Sequence, residues 1–382
     1  MSHLALGMAV LCAAVLAWSG ARFLFRFGEH RARMLDFAGD RLRKLHSRPT
    51  PRVGGIAVAA GFAGGLVAAE LLGGEVGWTS LLFLCVAPGL VWGVIEDVTK
   101  RGAVLVRLVL SAVAAAAAFV LLDARITHVD VPVIDFLLRF HVVSFAFTLF
   151  AVAGVANAIN VIDGLNGLSG ITALLASAGL ALVAWTVGDV FVFHTACILA
   201  ASIAGFLAVN FPSGRIFLGD GGAYLIGLLL AELSVLLVHR NVEVSAWFPL
   251  VLLAYPIWET LFSMYRRRMR GHPAGRADAL HLHTLVYRRI VRWKGPSGSA
   301  DDRVVRNSLA SLCLWIIPLA TWAIAVSFWH DSLVLQGAAL GFALAYGVAY
   351  RRIVRFRVPR RMIVRAANAA VLDADAASAK PR

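Results

Sequence analysis

Charge is what this 382-residue chain has least of. Only 15% of its residues are Asp, Glu, Lys or Arg, against about a quarter in soluble domains. Cysteine is scarce as well. Cys12, Cys85, Cys197 and Cys313 each fall inside an apolar run, with no CxxC and no Cys/His spacing. They read as small buried residues, not as disulfides or zinc ligands. No basic stretch precedes the first apolar run (4–25), and Arg22 and Arg26 stand at its far end. A secretory leader has the opposite order, so this run reads as a retained span. No internal repeat is found, which weighs against a transporter built from paired halves.

Apolar side chains fill the gap. The chain is 60% hydrophobic, with a mean hydropathy of +0.78. Runs of bilayer length predict an all-α polytopic membrane protein, because only helices satisfy their own backbone in lipid at this spacing. About eleven spans are predicted: 4–25, 54–72, 78–95, 104–122, 142–160, 168–187, 190–210, 221–238, 245–265, 308–329 and 333–350. Together they make a membrane body over 1–350, followed by a basic tail over 351–382. The tail alternates bases with apolar residues, as an anchor on anionic lipid would.

The formal charge of +14 suits nucleic acid, a membrane surface or anionic substrates equally, and the location of the bases decides. One set of alternate loops receives eight bases over 26–52, Lys100 and Arg101, Arg215, eleven over 266–306 and nine in the tail. The other set holds little beyond Arg125, Arg139 and Arg240. Positive charge stays inside, so the N-terminus is expected outside, the C-terminus inside, and the loops near 26–53, 96–103, 160–167, 211–220 and 266–307 cytoplasmic.

Every unusual polar cluster falls on that inner side. The central one reads NAINVIDGLNGLSG over 157–170, where Asn157, Asn160, Asp163 and Asn166 recur every third residue and share a face if the helix continues. Polar caps at a helix exit would explain it; so would a site, since such residues are costly at a bilayer edge. KLHSRPTPRVGG (44–55) combines bases, stiffening prolines and a glycine pair, as a phosphate contact or a plain basic loop. GVIEDVTKR (93–101) sets Glu96 beside Asp97, suited to a base, a metal shell or an ion pair with Lys100 and Arg101. In FLGDGGAYLIG, glycines flank Asp220, which is either an N-cap or a metal and phosphate site, and Phe217 offers a flat face to a base. His281 and His283 in HLHTLVYRR suit phosphate oxygens, proton transfer or a metal, or are simply solvated. Oxygen donors without thiolates favour Mg2+ or Mn2+.

These five motifs, in this order from Lys44 to Arg289, resemble the polyprenyl-phosphate N-acetylhexosamine-1-phosphate transferases, which start lipid-linked cell-envelope glycans such as O-antigen. The resemblance implies a membrane enzyme that transfers HexNAc-1-phosphate from a UDP-N-acetylhexosamine to undecaprenyl phosphate and releases UMP. The expected setting is the bacterial inner membrane, with the site on the cytoplasmic face; nucleic acid is not an expected partner, and a homodimer stays open. It further implies Mg2+ on Asp220 and Asn160, and Asp97, Glu96 and Asp163 as the catalytic acids. Phe217, Asn157, Asn166, Gly219, His281, His283, Lys44, Arg48, Lys100 and Arg101 are the implied substrate contacts. Three positions depart from the family pattern. Glu96 stands where an Asp is usual, Asn166 where a second Asp is commonest, and Thr284 where a further His is usual. An amide cannot act as a base, so Asn166 reads as a donor or sugar contact. A transporter of an anionic substrate is the alternative, but its acids would lie near the bilayer midplane.

Overall fold

The computed structural model describes residues 2–36, 49–73, 77–271, 280–291 and 300–356. Lys44, Arg48 and most of the predicted tail lie outside the described residues. Helices run α1 (His3–Gly28), α2 (Gly54–Leu71), α3 (Gly77–Thr99), α4 (Val104–Leu122), α5 (Pro132–Leu138), α6 (His141–Ile162) and α7 (Leu168–Val187). They continue with α8 (Val190–Asn210), α9 (Gly219–Arg240), α10 (Trp247–Leu252), α11 (Ala254–Met269), α12 (Leu282–Leu285), α13 (Ala300–Ser327) and α14 (Ser332–Val354). The β structure among the described residues is one antiparallel pair, β1 (Leu35–Asp36) with β2 (Thr50–Pro51), in which Leu35 faces Pro51.

Ten of these helices are long and apolar enough to cross a membrane. The remaining predicted span, 245–265, is instead the pair α10 and α11, broken at Leu253. The break has a local cause. Pro256 has no N–H to give the Leu252 carbonyl four residues back, so the helical ladder lapses after the Leu253 N–H closes the last turn of α10 onto Pro249 O. After the break α11 buries Glu259 and has three consecutive arginines in its last turn, Arg266 to Arg268, so neither piece is by itself an apolar helix of bilayer length.

The bundle is built around α9. Every residue from Gly219 to Val238 is buried, as expected of a helix that is apolar all round. It packs against α2, α3, α4, α6, α7 and α8. In lipid no hydrophobic drive brings helices together, so close backbone approach must do more of the work. A Cβ placed on Gly93 would lie 2.4 Å from the backbone N and Cα of Gly221, and one on Gly55 would lie 2.2 Å from the Gly222 N. Helices α2, α3 and α9 therefore touch backbone to backbone at one end of the bundle. A second apolar cluster joins α11, α12, α13 and α14 to Ile162, Leu165 and Leu168 at the turn between α6 and α7.

The glycine junction predicts that Gly93→Ala forces α3 away from α9. A loss of about 1–4 °C in melting temperature is expected, from an overpacking cost of about 1–3 kcal/mol. Unchanged thermal unfolding in detergent would show that the helices can absorb the methyl group.

Candidate active site at the glycine junction

Asp97 sits at the end of α3 where the glycines meet and is 2% exposed. Its carboxylate accepts the backbone N–H groups of Asp220 and Gly221, each at 3.0 Å, so it caps α9 from a neighbouring helix. The first N–H groups of a helix have no partner within it, and a carboxylate there also meets the positive end of the dipole. Gly219 makes this contact possible. It has φ +79°, and a Cβ would lie 2.5 Å from Asp97 Oδ2.

Arg52 closes the junction from the third side. Its Nε is 3.2 Å from Asp97 Oδ1, and its Nη2 donates to Asp220 Oδ1 at 2.5 Å. Burial works against the guanidinium's charge, but Asp220 and Asp97 outweigh it and its pKa is raised. The backbone around it is fixed by a ladder: Arg52 N–H donates to Met34 O, Phe217 N–H to Pro51 O, Gly54 N–H to Phe217 O and Gly55 N–H to Leu218 O. The loop carrying Phe217 and Gly219 is thus pinned to the entry of α2.

On the α6 side, Asn160 donates its amide to Asp220 Oδ1 at 2.8 Å, and Asn157 accepts the Tyr224 hydroxyl at 3.4 Å. Asp163 follows directly after α6 and takes the Ser169 hydroxyl at 2.5 Å. Burial raises its carboxyl from 3.8 to about 6, against the Ser169 hydrogen bond and the charge of Arg52. From α4, Arg107 comes within 3.5 Å of Glu96 and 3.8 Å of Asp220. The histidine segment arrives from the second apolar cluster. A Cβ on Gly164 would lie 2.3 Å from His283 Nε2, so that ring fills the space a side chain would need, beside Asp163. His281 and His283 stack with centroids 5.4 Å apart and planes 4° apart.

Asn166 is placed differently from the rest. Its N–H donates to Asn307 Oδ1, and its amide donates to Pro212 O at 3.3 Å, so it braces the α8–α9 loop against α13. Lys100 and Arg101 are exposed just beyond α3, where the Lys100 N–H closes onto Glu96 O.

The model of glycosyl transferase family 4 matches residues 79–238. A probable undecaprenyl-phosphate N-acetylglucosaminyl 1-phosphate transferase of Bacillus subtilis is 28% identical over 246 residues, 63% of this chain and 66% of that protein. The chain thus spans just under two thirds of that relative's length. An undecaprenyl-phosphate alpha-N-acetylglucosaminyl 1-phosphate transferase of Salmonella typhi is 30% identical over 254 residues, covering 64% and 67%. The decaprenyl-phosphate N-acetylglucosaminephosphotransferase of Mycobacterium tuberculosis is 30% identical over 348 residues, covering 83% of this chain and 82% of its own. The chain belongs to the polyprenyl-phosphate N-acetylhexosamine-1-phosphate transferase superfamily.

Two residues at the centre of this junction escape a reading by loops. Arg52 stands inside the KLHSRPTPRVGG motif, yet the sequence gives no reason to rank it above Lys44 and Arg48. Arg107 lies in the apolar run AVLVRLVLS. Its signal was a base inside a span, which is costly without a partner.

Two outcomes follow for this superfamily member. Asp97→Asn removes a charged acceptor from two backbone donors, so it should lower stability on the order of 3 kcal/mol as well as activity; an unshifted melting temperature would deny the capping role. For Asp163 the folded pKa lies above the ordinary 3.8, so the folded state holds the proton longer. Stability from this group is complete below about pH 4 and is lost as pH rises through about 6, a cost of about 3 kcal/mol at neutral pH. Asp163→Asn should therefore raise the melting temperature at neutral pH and leave it unchanged near about pH 4. A variant that melts lower at neutral pH would contradict this.

Proposed function

We propose that this protein transfers an N-acetylhexosamine-1-phosphate from a UDP-sugar to undecaprenyl phosphate, releasing UMP and starting a lipid-linked cell-envelope glycan such as O-antigen. The observation that carries it is the convergence of Asp97, Asp220, Asn160, Arg52, Arg107 and Glu96 at one end of the bundle, with His283 against the Asp163–Gly164 turn. The names of the relatives support it, and they make N-acetylglucosamine the first sugar to try. Bases concentrate on the loops at this end, which favours a cytoplasmic site in the bacterial inner membrane with the N-terminus outside.

In this reading a lipid phosphate oxygen attacks the β-phosphorus of the UDP-sugar. A new P–O bond forms as the bond to the UMP oxygen breaks. A phosphate monoester is largely a dianion near neutral pH, so the nucleophile needs little help from a base. This suits Asp97, whose oxygens already hold α9 and Arg52, and makes it a positioning residue. Arg52 and Arg107 are the half-buried cations that can meet developing charge on the diphosphate. His281 and His283 face the donor's phosphates or sugar, Phe217 stacks on uracil, and Lys100 and Arg101 guide the anionic headgroups.

Asp220 and Asn160 would hold Mg2+. The donors fit a hard cation, being oxygens without thiolates. Among the described residues no three Asp, Glu, His or Cys side chains stand close enough to hold a metal. Such sparse protein ligation matches Mg2+, which is commonly bound by one or two carboxylates together with substrate phosphates. When bound it neutralises diphosphate charge.

The test is UMP release by purified protein given Mg2+, undecaprenyl phosphate and a panel of UDP-sugars. Wild type should turn over at least one UDP-HexNAc. Asp220→Ala should cut the rate by about 10^2–10^3-fold, on the scale of lost transition-state charge stabilisation, while the protein stays in the membrane fraction. Turnover at the wild-type rate in that variant would remove Asp220 from the site.

A further inference from the structure

We propose that Glu259 is the positioning residue that sets the histidine segment, an inference that rests on the transferase reading above. Glu259 lies on α11 and is 0% exposed. Its Oε1 accepts His281 Nδ1 at 2.9 Å, and the Leu282 N–H lies 3.2 Å from both oxygens. The Tyr346 hydroxyl of α14 donates to Oε2 at 2.7 Å. A buried carboxylate is tolerated only when its lone pairs are satisfied, and these donors come from two separate segments, 281–282 and α14.

The consequence for His281 is chemical. A carboxylate can only accept, so Nδ1 carries a proton and Nε2 is the nitrogen left to meet a ligand. Stacking on His283, whose Nε2 lies against Gly164, carries that orientation to the Asp163 turn. The chain just before His281 is held in parallel: Arg266 donates to Leu280 O at 3.0 Å and to the Tyr350 hydroxyl at 2.6 Å, and Tyr350 donates to Leu280 O at 3.1 Å. Arg266 fixes the backbone; Glu259 fixes which face of the imidazole is presented. In metal sites, carboxylates that orient a ligating histidine are commonly worth about 10–100-fold, and the same geometry operates here.

Glu259→Gln should therefore raise KM for the UDP-sugar by about tenfold or more while leaving KM for undecaprenyl phosphate unchanged. In a His281→Ala background the same substitution should add less than about twofold, because both changes remove one interaction. Tyr346→Phe, which leaves the carboxylate in place, should shift the donor KM in the same direction by a smaller factor. Hydrogen exchange over 281–285 should accelerate in Glu259→Gln, since the Leu282 amide loses its charged acceptor. Additive losses in the double variant, an unmoved donor KM, or unchanged exchange over 281–285 would each overturn the assignment. A wild-type protein that transfers no sugar would refute the transferase reading, and the exchange measurement would still decide whether Glu259 holds the segment.

Discussion

The grip of one carboxylate on the start of the central helix is the interaction the rest of the structure depends on. Asp97 receives the N–H groups of Asp220 and Gly221, and this is possible only because α2, α3 and α9 meet at glycines. A helix end buried in a membrane protein leaves donors that water cannot reach, and each unsatisfied one costs several kcal/mol. Here the cap comes from another helix, so the same contact that satisfies the backbone also fixes where Asp220 points. Folding and site geometry are settled by one hydrogen-bonded junction.

Charge balance explains what surrounds that junction. Among the described residues, Glu96, Asp97 and Asp220 meet Arg52 and Arg107 through ion pairs, and Asp163 feels the charges of Arg52 and Asp220. Four carboxylates against two guanidiniums leave an excess of negative charge in a poorly hydrated place. Such an excess is unfavourable for folding and, on the proposed reading, favourable for holding a cation beside a diphosphate; the raised Asp163 carboxyl owes more to its burial than to its acidic neighbours. A protein selected for stability alone would have replaced one of these acids by an amide.

Much of this was legible in the residues. The three-residue spacing of Asn157, Asn160 and Asp163 put them on one face, and α6 continues to Ile162, which brings two of them beside α9. Asn166 kept the spacing but lost the face, because the chain leaves the helix at Asp163 and Gly167 adopts φ +74° before α7 begins. Periodicity cannot anticipate where a helix stops. Arg107 was hidden by its neighbours, since a run of apolar residues reads as a span whatever single base it contains. Glu259 was hidden by the run assigned to 245–265, and only its burial against His281, Leu282 and Tyr346 shows that its surroundings are protein instead of lipid.

The two apolar clusters divide the site between them. Asp97 and Asp220 belong to helices of the large cluster around α9, whereas the histidines ride on the smaller cluster formed by α11 to α14. The turn 163–168 is where they join, since Ile162, Leu165 and Leu168 pack into the smaller cluster while Asp163 and Gly164 border the acids and His283. Side chains supplied by one packed unit keep their mutual distances, because interiors resist small displacements. The two units also pack on each other, α13 on α7 and α11 on α6, whereas the histidine segment itself is held by discrete polar contacts to Glu259 and Arg266. On the proposed reading, the acids and arginines act on the reacting phosphates and the histidines on the donor. The part that must select a sugar is then the part held by discrete hydrogen bonds, where a single residue change can retune it without disturbing the α9 junction.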